Sequence, residues 1–121
     1  QVFDNDPSTK FLTFKPANAT LDVNYDSPQY AKSLSITSAA DSTSYPGRNP
    51  KVISIYGVTS YGEKVLISTN TLNEFTSNGQ TQTVDIDRST NTNFYSTYQV
   101  KFNSTQDNNA TELQVADLVF R

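Results

Sequence analysis

The residues best equipped for chemistry stand at the start of the chain, in the run Phe3-Asp4-Asn5-Asp6-Pro7-Ser8-Thr9. It places two carboxylates two residues apart and follows them with a Pro-Ser-Thr corner. Oxygen donors this close together suit a hard cation, because Ca²⁺ takes six to eight oxygen ligands from carboxylates, carbonyls and hydroxyls. A glycosidase also needs two carboxylates, about 5–10 Å apart. The same residue types make an ordinary solvated turn. Taken alone, the run is compatible with each of these.

Composition removes many other chemistries. The chain has no Cys, His, Met or Trp, which excludes disulfides, thiolate or histidine-ligated zinc, histidine general bases and triads built on either residue. Formal net charge is −3, and the nine basic residues are spread thinly, without the clustered basic face that nucleic-acid binding requires. No apolar run approaches the roughly 18 residues of a membrane-spanning helix. No signal-peptide pattern is visible, and a mature or excised segment would have lost one. Abundant Ser, Thr and Asn, with seven Phe and seven Tyr carrying much of the apolar mass, suit strands that keep one face wet. That polar, cysteine-free composition leans toward a secreted bacterial β-domain.

The elements that must position these residues are short strands. Phe11–Phe14, Thr20–Tyr25, Leu34–Thr37, Val52–Tyr56, Lys64–Ser68, Thr81–Ile86, Tyr95–Phe102 and Leu113–Phe120 alternate or are rich in β-branched residues. Turn clusters separate them: Pro16, Asp26-Ser27-Pro28, a long polar loop from Ser38 to Pro50, and a tight Tyr61-Gly62-Glu63 connection. About eight strands at spacings of roughly 8–15 residues predict one all-β, antiparallel sandwich of jelly-roll type. No segment has convincing helical periodicity. Residues 1–121 read as a single module. Because its first residues already form a specialised loop, we expect a missing leading strand or excision from a larger multidomain protein.

Four stretches, in order, resemble one family. Phe3–Phe14 is similar to the opening loop of discoidin-like (coagulation-factor C-type) galactose-binding domains, with Phe11 where a Trp usually stands. Leu34–Tyr56 resembles that family's middle, with Arg48-Asn49-Pro50-Lys51 in place of Arg-Asp-Pro-Lys and Tyr56-Gly57 after the strand. Tyr95–Phe102 resembles its Tyr-rich penultimate strand, and Leu113–Leu118 its closing strand, with Asp117 in place of Glu. The bacterial branch is carbohydrate-binding module family 32, an eight-stranded jelly roll that commonly holds a structural Ca²⁺. Carried over, the resemblance implies calcium ligands at Gln1, Asp4, Asp6, Thr9, Ala116 and Asp117. Asn5 replaces a Gly of that pattern, a tolerable exchange because Asn enters left-handed backbone more readily than most residues. Such a cation is structural and stabilises the fold through linkage.

In the same family, sugars bind on loops at one end of the sandwich. The Ala39–Asn49 loop is the best match, and Asp41, Tyr45, Arg48 and Asn49 are its candidate ligand residues. Tyr45 offers a ring face, and the others offer donors and acceptors for hydroxyl pairs. Each also has a structural use: Arg48 as a loop brace, Tyr45 at a core edge, Asn49 as a turn residue before Pro50. The absence of His departs from galactose-binding members, while Lys10, Lys15 and Arg48 leave room for an acidic algal polysaccharide such as alginate. The expected function is therefore a non-catalytic, monomeric carbohydrate-binding module. It would target a secreted bacterial polysaccharide lyase or glycoside hydrolase to its glycan, with the catalytic domain in the same polypeptide. The alternative is an adhesion module for a protein or membrane surface, although the Ser38–Asn49 loop lacks the apolar spikes that membrane binding needs.

Overall fold

Two-residue periodicity becomes strand structure at every segment where the sequence displays it. The computed structural model describes residues 11–14, 19–38, 46–107, 113–115 and 117–121. Its strands are β1 (Phe11–Phe14), β2 (Ala19–Gln29), β3 (Ser33–Thr37), β4 (Pro50–Val58), β5 (Lys64–Thr71), β6 (Thr81–Asp85), β7 (Tyr95–Thr105), β8 (Leu113–Val115) and β9 (Asp117–Phe120), with one 3₁₀ turn at Pro46–Arg48. A four-stranded antiparallel sheet runs in the order β2-β7-β4-β5, and a three-stranded one in the order β6-β3-β9, while β1 pairs with β8. The all-β sandwich expected from the sequence is the fold observed.

Register explains the core. Across the larger sheet, the paired positions Leu21–Val100–Ile55, Val23–Tyr98–Gly57 and Ala19–Phe102–Ile53 form rows on one face. Across the smaller sheet, Val84–Leu34–Phe120 forms a matching row, with Ile36 beside Leu118. These inner faces bury Val23, Leu34, Ile36, Ile53, Ile55, Tyr98, Val100, Phe102, Leu118 and Phe120 almost completely. Each such side chain contributes about 1.5–3 kcal/mol relative to exposure. The Tyr98 and Phe120 rings, 5.2 Å apart between centroids, join the two sheets directly.

The outer faces are satisfied by short polar side chains. Gln99 donates to Asp22 at 2.8 Å, Thr97 to Asn24 at 2.7 Å, and Asn103 to Ser54 at 2.8 Å. On the smaller sheet, the hydroxyls of Ser35 and Thr83, and of Thr37 and Thr81, meet at 2.8 Å. Cross-strand pairs of this kind are the sheet's local stabilising unit, and they account for the Thr- and Asn-rich composition.

Irregularities alter three sequence expectations. Asp26-Ser27-Pro28 does not end β2; the strand bulges between Asn24, opposite Thr97, and Gln29, opposite Tyr95. In β5, Ile55 faces Ser68 but Tyr56 faces Leu66, so Ile67 is an extra residue and both Ile67 and Ser68 are buried. The expected last strand, Leu113–Phe120, divides: β8 pairs with β1, and β9 pairs with β3. The predicted Tyr61-Gly62-Glu63 connection is a tight turn, with Gly62 at φ 83° and the Thr59 hydroxyl accepting from the Glu63 N–H at 3.0 Å.

Gly57 lies under the Tyr95 ring, where any Cβ would overlap the aromatic carbons. Gly57→Ala should therefore destabilise the fold by about 1–3 kcal/mol through overpacking. Urea unfolding measures this, and a midpoint equal to wild type would show that the ring has room to move.

Candidate functional site

The loop expected to carry ligand contacts closes against the exit of β7. Its Asp41 and Tyr45 lie outside the described residues, so its geometry is read at Gly47, Arg48 and Asn49. The Gly47 carbonyl accepts from the Asp107 N–H at 3.1 Å, and the Asn49 carbonyl from the Gln106 N–H at 2.9 Å. Gln106 also donates its side-chain amide to the Pro50 carbonyl at 3.0 Å, and Thr105 donates to the Asp107 carbonyl at 2.7 Å. A Cβ on residue 47 would stand 2.6 Å from that of Asp107, so this close approach of two loops requires glycine. The result is a rigid base that fixes the 3₁₀ turn carrying Arg48.

The base borders a hollow of about 250 Å³ lined by Gly47, Glu74, Phe75, Gln106 and Asp107. Arg48 is half-buried beside Gly47 in the chain. Asn49, expected as a ligand contact, is 0% exposed. Its side chain is buried in the loop base and faces no solvent. The β5–β6 loop that supplies Glu74 and Phe75 is organised by Gln80, whose Oε1 accepts from the Thr76 N–H at 2.6 Å and the Ser77 N–H at 3.2 Å. Glu74 and Asp107 add exposed carboxylates that sequence reading did not single out. Only chain pairing brings them beside Gly47.

Of the expected cation ligands, Gln1, Asp4, Asp6, Thr9 and Ala116 lie outside the described residues. Asp117 is described, opposite Thr37 at the start of β9. Its Oδ1 is buried and has no hydrogen-bond partner among the described residues. A buried carboxylate oxygen in that state is costly unless a cation or donor meets it. Phe11, the first residue of β1, is the register partner of Val115, two residues before Asp117. Among the described residues, no group of three or more acidic side chains could hold a metal.

The opposite end of the sandwich contains an arrangement that the sequence reading missed. Arg88, in the β6–β7 connection, is 8% exposed. Its Nε donates to the Asn91 carbonyl at 2.8 Å, and its Nη1 to the Ala31 carbonyl at 3.0 Å and the Tyr98 hydroxyl at 3.3 Å. Nη2 donates to the Asn93 carbonyl, and the guanidinium carbon lies 4.2 Å from the centre of the Tyr30 ring. Tyr30 in turn packs on Phe94, 5.2 Å between centroids. The turn into Arg88 is set by Asp87, whose carboxyl is held below its usual range by hydrogen bonds from the Ser89 side chain and N–H. A phenylalanine standing in the otherwise polar run Asn91-Thr92-Asn93-Phe94 was the available signal.

No protein-family model and no curated protein sequence matches the chain. Solved structures do. The family 32 carbohydrate-binding module from Streptococcus pneumoniae EndoD superposes with a TM-score of 0.62 at 14% identity, over 94% of this chain and 73% of that one. A module described as GH31 CBM32-2 bound to GalNAc gives 0.57 at 13% identity, over 99% and 72%. Reduced XRCC1, bound to the DNA polymerase β catalytic domain, gives 0.56 at 10% identity, over 88% and 76%. At these identities the likeness shows a shared fold, the sandwich of the family 32 modules. One fold here serves a sugar-binding module and a protein-binding domain, so function must be argued from the site.

Tyr25, beside the Arg88 and Tyr98 cluster, supplies a test of the packing at this end. Burial, and secondarily the neighbouring Tyr98, push its phenol from 10.0 up to about 12. A raised folded-state pKa means the native protein holds the proton more tightly than the unfolded chain does. The resulting stability is complete below about pH 10 and is lost as pH rises through about 12. Tyr25→Phe should flatten the fall in urea midpoint over that window, and equal slopes in both proteins would show that Tyr25 does not titrate with unfolding.

Proposed function

We propose that this chain is a non-catalytic carbohydrate-binding module whose ligand end is the Arg48 loop. The observation that carries the reading is the rigid base holding that turn at one end of a sandwich shared with two family 32 modules. Arg48, with Asp41 and Tyr45 of the same loop, contacts the glycan, while Asn49 supports the turn from within. A guanidinium pairs well with carboxylate or sulfate, which favours an acidic polysaccharide such as alginate. As a secreted bacterial module, it holds an attached polysaccharide lyase or glycoside hydrolase near its substrate and raises effective concentration.

Calcium is the natural partner for the orphaned Asp117 oxygen. The Gln1 and Ala116 carbonyls with Asp4, Asp6, Thr9 and Asp117 form an all-oxygen donor set that suits Ca²⁺ and no thiolate-seeking metal. A Ca²⁺ held by these residues would neutralise the carboxylates and stabilise the fold through linkage.

Affinity electrophoresis through gels of neutral and acidic polysaccharides tests the ligand class. Retardation by an acidic polymer is expected, and Arg48→Ala should weaken it about tenfold, or ~1.4 kcal/mol. Unretarded migration in every gel would overturn the carbohydrate reading. For the cation, calcium at about one hundred times Kd should add ~2.7 kcal/mol of stability, which chelation removes. A melting temperature indifferent to chelator and to added Ca²⁺ would remove the site.

A further inference from the structure

The end of the sandwich away from Arg48 carries a second recess. A cleft of about 820 Å³ opens between the bulged end of β2, the β4–β5 turn and the first residues of β7. Pro28, Thr59, Glu63, Asn93, Phe94 and Thr97 are among its walls. The β2 bulge creates it: five residue steps from Asn24 to Gln29 face two steps from Thr97 to Tyr95, so the chain around Pro28 leaves the ladder. Strand β4 starts at Pro50, two residues after Arg48, and ends at Val58 in the cleft wall. Eight residue steps separate these ends by about 26 Å, too far for one sugar unit to touch both.

Phe94 is 55% exposed at the cleft, so its ring is open to a ligand. It is also held in place, because Tyr30 backs it and the buried Arg88 lies against Tyr30. An aromatic face ordered in advance lowers the entropy cost of binding. Glu63, Asn93, Thr59 and Thr97 line the cleft with it and carry a carboxylate, an amide and two hydroxyls. The Thr97 hydroxyl donates to Asn24 and the Thr59 hydroxyl accepts from the Glu63 N–H, and each keeps acceptor capacity. A ring face beside planar acceptors and donors matches a pyranose, which offers a C–H face to the ring and equatorial hydroxyls to the polar groups. Among the described residues, those lining the cleft include Glu63 but neither Lys nor Arg. An anionic sugar would meet repulsion there, whereas a neutral one would not.

We infer that the Phe94 cleft is a second glycan site, specific for a neutral pyranose unit, which makes the module bivalent. Bivalency rests on the proposed Arg48 site, whereas the Phe94 cleft itself shares with that proposal only its ligand class, carbohydrate. Two sites about 26 Å apart on a rigid sandwich engage separate stretches of one polysaccharide, or neighbouring chains, and gain affinity through effective concentration.

Affinity electrophoresis on neutral galactan, mannan, xylan and glucan, alongside alginate, tests it with the whole chain. Phe94→Ala and Glu63→Gln alter exposed side chains, and an unchanged melting temperature establishes that each variant folds. Phe94→Ala should weaken retention on a neutral polymer about tenfold and leave retention on alginate unchanged, while Arg48→Ala should do the reverse. Wild-type retention of Phe94→Ala on every neutral polymer that binds would overturn the second site. Binding to alginate with no neutral polymer retained would overturn it too and leave the Arg48 reading intact. Failure to bind any polymer would overturn both.

Discussion

The hydroxyl of Tyr98 is the point on which the two sheets depend. Its ring belongs to β7 in the larger sheet and packs against Phe120 of the smaller one. Its oxygen donates to the Gln29 carbonyl at 2.5 Å and accepts from the Ala31 N–H at 3.1 Å. Those two backbone groups belong to the crossing from β2 to β3, where the chain leaves one sheet for the other. A crossing inside a sandwich has no ladder to satisfy its amides, and buried backbone polar groups must find partners. One phenol provides them, and so sets where β3 begins and how β9 and β6 align on it. The Lys32 and Ser33 N–H groups then reach the Arg121 carbonyl at 2.7 and 2.9 Å, which fixes the end of β9 to the same corner.

Arg88 extends this node to the surface. Burying a guanidinium is expensive unless its donors are met, and here carbonyls, a phenol and an aromatic face meet them. The β6–β7 connection wraps around the charge and cannot move independently of it. Consequently the exposed Phe94 stands on a chain of contacts that runs through Tyr30 and Arg88 to the core. The Arg48 turn is held differently, by backbone bonds between two loops and a glycine contact. Each end of the sandwich thus presents side chains from a rigid support, by two unrelated devices.

Strand positions were legible in the sequence because period-two alternation reports burial directly, as in Leu34-Ser35-Ile36-Thr37. Bulges were not, because an inserted residue such as Ile67 changes no residue type, only the partner it faces. The division at Leu113–Phe120 was hidden for a related reason: one continuous apolar run serves two different partner strands. Asn49 allowed two readings, ligand contact or turn residue, because Asn before Pro suits an exposed turn and a loop foot alike; its burial depends on a partner loop distant in the chain. Arg88 and Phe94 escaped notice because loop residues carry no periodicity, and their significance comes from Tyr30 and Tyr98, distant in the chain. Asp117 was singled out through the resemblance alone.

The pairing of β1 with β8 has a consequence for the order of events during synthesis. Phe11 meets Val115, Ala19 meets Phe102, and Leu34 meets Phe120. Loop-closure entropy must be spent before such distant contacts return any stabilisation, so topologies of this kind fold slowly. The ladder partners of the first three strands, β6 to β9, all follow them in the chain. Until β6 to β9 have been made, β1 to β3 lack their ladder partners and leave apolar faces uncovered, a state open to misassociation. The polar residues that alternate along β2 and β3 keep those waiting strands soluble, a service rendered before the native structure exists.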